Sequence, residues 1–167
     1  EVRVIVPSPD ATIGDTFFRC AAAFADHAFL AVPANPARSY HPDGVELSYA
    51  TAAQAVRALM QAYADAGHGV GHRVALLLDN RTEHLLHKLA MNALGICCVP
   101  LNADHRPREM AYVLQHAKVD LVVVADALQA LLHSAIAASA HKPQVVRLDA
   151  FDTELPTPRA PALSTTP

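Results

Sequence analysis

The chain has little that would let it hold a polyanion. Thirteen Lys and Arg stand against sixteen Asp and Glu, for a net charge of −3 over 167 residues. No Lys/Arg-rich face is visible, so nucleic-acid binding is not expected. No apolar run approaches the roughly 20 residues that a membrane helix needs. The opening Glu1-Val2-Arg3 lacks the basic start and apolar stretch of a secretory signal. Only three cysteines occur, Cys20, Cys97 and Cys98, and their spacing fits neither a metal cluster nor a redox pair. A reducing, cytoplasmic setting is therefore expected. No Gly-x-Ser-x-Gly elbow is present, which argues against a serine hydrolase. No phosphate loop ending in Gly-Lys-Ser/Thr is present either.

What remains is an apolar chain, 52% hydrophobic and 17% charged, long enough for a real core. Residues 47–124 carry most of the information. They read as helix, glycine stop, apolar strand, helix, glycine stop, apolar strand, helix, apolar strand. Ser48 is placed to cap a helix in which Tyr49, Ala52, Ala53, Val56, Leu59, Met60 and Tyr63 recur at helical spacing. Gly67 stops it, and residues 74–78 are a continuous apolar strand. Asn80 with Glu83 suggests a capping box for a helix over residues 82–94. Residues 96–99 read as the next buried strand, closed by Pro100. Pro107 suits the first turn of a further helix, and residues 121–124 form another strand.

The flanks follow the same logic. A first helix is expected over residues 15–26, a short strand over 29–32, and a turn-rich excursion over 33–44. Leu128, Leu131, Leu132 and Ala135 mark a fifth helix, and residues 144–148 a last strand. Strands alternating with helices predict an α/β fold of three layers, a mostly parallel sheet with helices on both faces. The expected division is an α/β subdomain over 12–150 and an extended, proline-rich connector over 151–167. Both ends read as cut, so a fragment is expected; a proline-rich tail natural to the chain is the plainer alternative. A fragment would expose apolar surface and self-associate through it.

The chemistry-bearing residues weigh less than they tempt. Gly67-His68-Gly69-Val70-Gly71 follows a helix and opens a strand, the reverse of a dinucleotide loop, and so reads as a helix stop and tight turn. Of the ten histidines, His84 and His87 share a helix face and His68 and His72 flank the turn. Without converging Cys or acidic ligands they read as solvent-facing rather than metal-binding. Cys97 and Cys98 read as buried structural thiols. Asp79, Asp104 and Asp120 fall at strand ends, where open sheets place ligands but where loops are also ordinarily polar. Asp104-His105-Arg106-Pro107-Arg108-Glu109 reads as an exposed helix start, its charges interleaved. No residue is assigned a catalytic, cofactor-binding or metal role.

Three spellings in this order resemble the adenylate-forming acyl-CoA synthetases of the AMP-binding superfamily. The first is Leu47-Ser48-Tyr49 opening a helix that ends in Gly67, followed by Gly71-His72-Arg73-Val74-Ala75. That family usually writes Asp where this chain has His72. The second is Leu77-Leu78-Asp79-Asn80 before Glu83, with Asp79 where the family often has proline. The third runs from Gly95 through Pro100-Leu101-Asn102 to Arg106-Pro107-Arg108-Glu109 and Tyr112-Val113-Leu114, with Met110 at the place of a family leucine.

The resemblance implies a parent ligase of fatty acid metabolism or a related pathway. In it a carboxylate attacks the α-phosphate of ATP, giving an acyl-adenylate and pyrophosphate. A thiol, usually coenzyme A, then displaces AMP, and Mg2+ accompanies the ATP. The family's Ser/Thr/Gly-rich phosphate loop, its nucleotide site and its C-terminal lysine have no counterpart in these 167 residues. The stretch alone is therefore expected to be inactive. Three other readings stay open. One is an adenylation domain that loads a carrier protein. Another is a non-enzymatic α/β interaction module. The last is a flavodoxin-like mononucleotide binder.

Overall fold

The structure is a computed structural model and describes residues 4–164. The chain divides into two compact units. The first comprises residues 1–60 and 81–93, the second residues 61–80 and 94–167.

The first unit begins with helix α1 (Ile13–Ala23). It starts earlier than expected because Thr12 caps it. The Thr12 hydroxyl accepts from the Asp15 amide at 3.0 Å, and the Asp15 carboxylate accepts from the Thr12 amide at 3.0 Å. This reciprocal box satisfies two donors that a helix start leaves orphaned. Strand β1 (Ala28–Val32) pairs antiparallel with β2 (Val45–Ser48), a strand the sequence pattern does not reveal. The turn-rich excursion between them is thus the loop of a hairpin.

Helix α2 (Tyr49–Asp65) follows at once, with the Ser48 hydroxyl accepting from the Thr51 amide at 3.2 Å, as its capping role requires. Helix α3 (Thr82–Ala93) completes this unit. The expected Asn80–Glu83 box is not what starts it. The Glu83 carboxylate instead takes bonds from Arg81, Thr82 and His41. Phe17, Ala21, Ala52, Ala53, Val56, Leu86, Leu89 and Ala90 form the core.

The second unit is the parallel sheet. Strands β3 (Arg73–Leu77), β4 (Cys97–Pro100), β5 (Leu121–Val124) and β6 (Gln144–Arg147) lie in the order β4-β3-β5-β6, every pair parallel. Helices α4 (Pro107–His116) and α5 (Gln129–Ala138) pack on the core made by Ala75, Leu77, Val122 and Val124. The expected α/β class, a parallel sheet flanked by helices, is therefore what the chain adopts. Burial follows strand order: the central β5 is buried along its whole length, whereas β4 is an edge strand with exposed ends. Cys97 is accordingly exposed and Cys98 half-buried, which corrects their reading as buried thiols. A short helix, α6 (Phe151–Glu154), stands where the connector is expected to begin, and residues 155–164 after it form no helix or strand.

Candidate functional site

In an open parallel sheet, the place to look for a ligand is the carboxyl end of the strands, where the chain reverses its direction of winding. Here β4 lies on one side of β3 and β5 on the other, so that point falls between β3 and β5. The segments leaving those ends carry Asp79, Asn80 and Asp126, and the neighbouring strands contribute Asp104, Arg147 and Asp149. The one cation among these six, Arg147, lies 3.5 Å from Asp126 and 3.4 Å from Asp149. Both pairs are at the surface, and the group as a whole is acidic.

Asp120 belongs elsewhere. It precedes β5 at the opposite, amino end of the sheet. Its carboxylate accepts from the Arg73 amide at 2.8 Å, and its carbonyl accepts from the Gln144 amide at 2.9 Å. It stitches three strands together.

The first unit holds an apolar cavity of about 480 Å3, lined by Ile13, Phe17, Cys20, Phe29, Tyr49 and Leu89 among others. That volume is ordinary for a small-molecule pocket. Phe29 and Tyr49 form one wall, their ring centroids 4.7 Å apart. The hydroxyls at its rim are spent inside α1: Thr12 bonds Asp15, and Thr16 donates to the Thr12 carbonyl. The pocket can take up an apolar group, and the free Cys20 thiol is part of its lining.

Three histidines, His68, His72 and His87, are not the solvent-facing residues the sequence suggests: they are 3%, 5% and 2% exposed, and His84 is half-buried. His68 donates from Nε2 to the Pro156 carbonyl at 2.8 Å, and His72 from Nε2 to the Ala160 carbonyl at 2.9 Å. These bonds span 88 residues, which is why spacing alone could not reveal them. In the first unit, Glu83 takes up His41, 3.2 Å away, and Arg81 at 3.1 Å. Burial alone would raise its carboxyl, but Arg81, its own amide and His41 together pull it down to about 2. Burial pushes the nearby His87 imidazole down to about 4. Among the described residues, no group of three His, Cys, Asp or Glu side chains converges as metal ligands do.

A family model described as AMP-binding enzyme matches residues 17–165. The chain belongs to the AMP-binding enzyme family. A long-chain-fatty-acid–CoA ligase of Thermus thermophilus is 38% identical over 79 residues, which cover 47% of this chain and 14% of that one. Among solved structures, the N-terminal domain of FACL13 from Mycobacterium tuberculosis matches with a TM-score of 0.72 at 21% identity. The match covers 92% of this chain and 38% of that one. The N-terminal subdomain of Klebsiella oxytoca NpsA, in complex with 3-hydroxyanthranilyl-AMSN, matches with a TM-score of 0.67 at 17% identity, over 92% of this chain and 35% of that one. At such identities the two structures speak for the fold alone. The chain spans well under half the length of each of these relatives.

The family raises the question of ATP and Mg2+, and the described residues do not fit them. The glycine turn over 67–71 has the backbone freedom of a phosphate cradle, with Gly67 at φ +93° and Gly71 at φ +89°. It is filled from within the chain: a Cβ on Gly71 would meet the Leu163 side chain at 2.7 Å, and one on Gly69 would meet Ala162 at 3.1 Å. No cluster of carboxylates stands ready for a divalent cation among the described residues.

Proposed function

We propose that this chain is part of an ATP-dependent ligase that activates a carboxylic acid as an acyl-adenylate and passes the acyl group to coenzyme A. The observation that carries the reading is the family match across residues 17–165. The 38% identical stretch shared with a fatty-acid–CoA ligase favours coenzyme A over a carrier protein as the acceptor. The residues described here contribute the sheet, its connections and the apolar pocket, and the phosphate-binding groups come from sequence beyond this stretch. The 167-residue chain alone is inactive in this reading and self-associates through apolar surface.

The test is acid-dependent exchange of pyrophosphate into ATP, run on the complete gene product and on the 167-residue chain. Exchange by the former with fatty acids, and AMP release only on adding coenzyme A, is the expected result. No exchange with any of a panel of aliphatic and aromatic acids would remove the ligase reading. Exchange by the short chain would remove the assignment of this stretch to scaffold. Light scattering over a concentration series decides self-association, which a monomer at every concentration would overturn.

A further inference from the structure

Residues 155–163 run without helix or strand along the turn between α2 and β3, with a bend at 159–160, within the second unit. Two of the turn's three glycines, Gly69 and Gly71, make the close approach possible, and Gly67 lies at ordinary contact distance. The position a Cβ would take on Gly67 lies 3.6 Å from Pro158, on Gly69 3.1 Å from Ala162 and on Gly71 2.7 Å from Leu163. The strap is held by polar bonds as well. The Leu163 amide donates to the Val70 carbonyl at 2.8 Å, Gln144 donates to the Thr157 carbonyl at 3.1 Å, and Arg159 donates to the Lys142 carbonyl at 2.7 Å. The two remaining anchors are the buried imidazoles of His68 and His72, on the Pro156 and Ala160 carbonyls.

We propose that the turn 67–72 and the strap 155–163 form a proton-gated clasp, docked while His68 carries one proton, on Nε2, and released when it takes up a second. The geometry fixes the docked tautomer. A carbonyl can only accept, so each Nε2 must donate. The Gly69 amide donates to His72 Nδ1 at 3.0 Å, so that nitrogen must keep its lone pair. His68 Nδ1 is buried with no hydrogen-bond partner, so a proton there would arrive unsolvated. The His72 ring lies 5.6 Å from the His68 ring.

The groups facing the pair do not reverse this. Tyr63 of α2 stands edge-on to His68, ring centroids 5.9 Å apart, and burial pushes its phenol up, so it stays neutral. Burial lowers the His68 imidazole below its ordinary value, the Pro156 carbonyl opposes this, His72 adds to it, and Asp120 opposes it weakly. On the strap, the guanidinium of Arg159 is turned to Lys142. A histidine lowered in the docked state favours docking above its ordinary pKa of about 6.5 and opposes it as pH falls through the lowered value. Acid therefore opens the clasp.

Amide exchange on the 167-residue chain tests this, each rate divided by its intrinsic rate at the same pH. Leu163 protection is expected to fall between pH 7.5 and 5.5, approaching about tenfold per pH unit for each proton taken up. The Val122 amide in the central strand should lose less than Leu163, and no more than the fall in global stability read from urea unfolding at the same two pH values. His68→Gln should remove the excess pH dependence of Leu163, whether the strap is then docked or released at both values. Equal Leu163 protection at both pH values, a loss at Val122 as large as that at Leu163, or an undiminished slope in the variant would each overturn the clasp. Should the variant not fold, imidazole 15N shifts of the unaltered chain decide. An Nε2–H tautomer of His68 at pH 7.5, titrating together with the loss of Leu163 protection, supports it. Another tautomer, or a midpoint more than about one pH unit away, overturns it.

Discussion

The two units bury comparable chemistry in different ways. In the second, β5 and residues 74–77 of β3 are inaccessible along their length, and aliphatic side chains such as Leu114 and Leu132 close over the sheet. A parallel ladder satisfies its own backbone, so every strand residue can be apolar. In the first, a two-stranded hairpin has no interior strand. Aromatic rings do the covering: Phe17 lies 5.1 Å from Phe29 and 6.5 Å from Tyr49, and the apolar cavity is left beside them. Tightness thus follows from the number of strands that share a ladder, and space for a ligand from having too few.

Truncation should expose that difference most. Leu114→Ala in α4 removes a side chain with no exposure, and about 2–5 kcal/mol of stability should go with it in urea unfolding. Leu59→Ala in α2, only partly buried against the first core, should cost about 1 kcal/mol. Equal losses would break the contrast between a filled core and a looser one.

Acid should act next, through His87. Its imidazole is lowered from 6.5 to about 4, with burial the main cause and Glu83 opposing. The folded state therefore binds fewer protons than the unfolded chain in that window. Stability is full above pH 6.5 and falls toward pH 4, by an amount on the order of 3 kcal/mol when complete. Glu83, lowered to about 2, adds a second loss only below its ordinary 4.5. His87→Gln should flatten the decline from pH 6.5 to 4 in urea midpoints. An unchanged decline would assign it to other groups.

Legibility in the sequence follows the same division. The strand over residues 121–124, the Ser48 cap and the Gly67 stop depend on neighbours a few residues away, and the pattern displays them. β2 is hidden because Val45–Ser48 is four residues of mixed character whose strand state comes from pairing with β1. That Cys97 and Cys98 lie on an edge cannot be read, since edge and centre are properties of strand order. The buried histidines escape for a related reason: their partners are carbonyls of a segment 88 residues away, and a carbonyl leaves no mark in a sequence. The Gly67–Gly71 spelling holds a signal that could have found them. Three glycines exceed what a helix stop requires, and the surplus marks the strap's close approach.

Glycine substitutions come third and again divide the units. Gly44 sits at φ +79°, and an added Cβ would meet the Val32 carbonyl and the Ala34 amide, both at 2.9 Å. Backbone cannot step aside, so Gly44→Ala should cost about 2 kcal/mol. Gly71→Ala has a similar φ but meets the tip of Leu163, a side chain 66% exposed, and should cost about 1 kcal/mol. Thermal unfolding of the two variants checks the order, and a costlier Gly71→Ala would mean that the strap is held more firmly than the hairpin loop.

The smallest expected effect concerns how helices begin. α1 relies on the Thr12 hydroxyl, which accepts from the Asp15 amide, so Thr12→Ala should lose about 1 kcal/mol. α4 starts differently. Arg106 makes no side-chain cap, Pro107 has no donor to satisfy, and the Glu109 carboxylate accepts from the Arg106 amide at 2.7 Å. That bond belongs to the Arg106 backbone and survives truncation of its side chain. Arg106→Ala should therefore leave stability within about 0.5 kcal/mol of the unaltered chain. Matched losses in urea would show that the Arg106 side chain acts on the helix start by some route other than the cap, and the asymmetry between the two starts would fail.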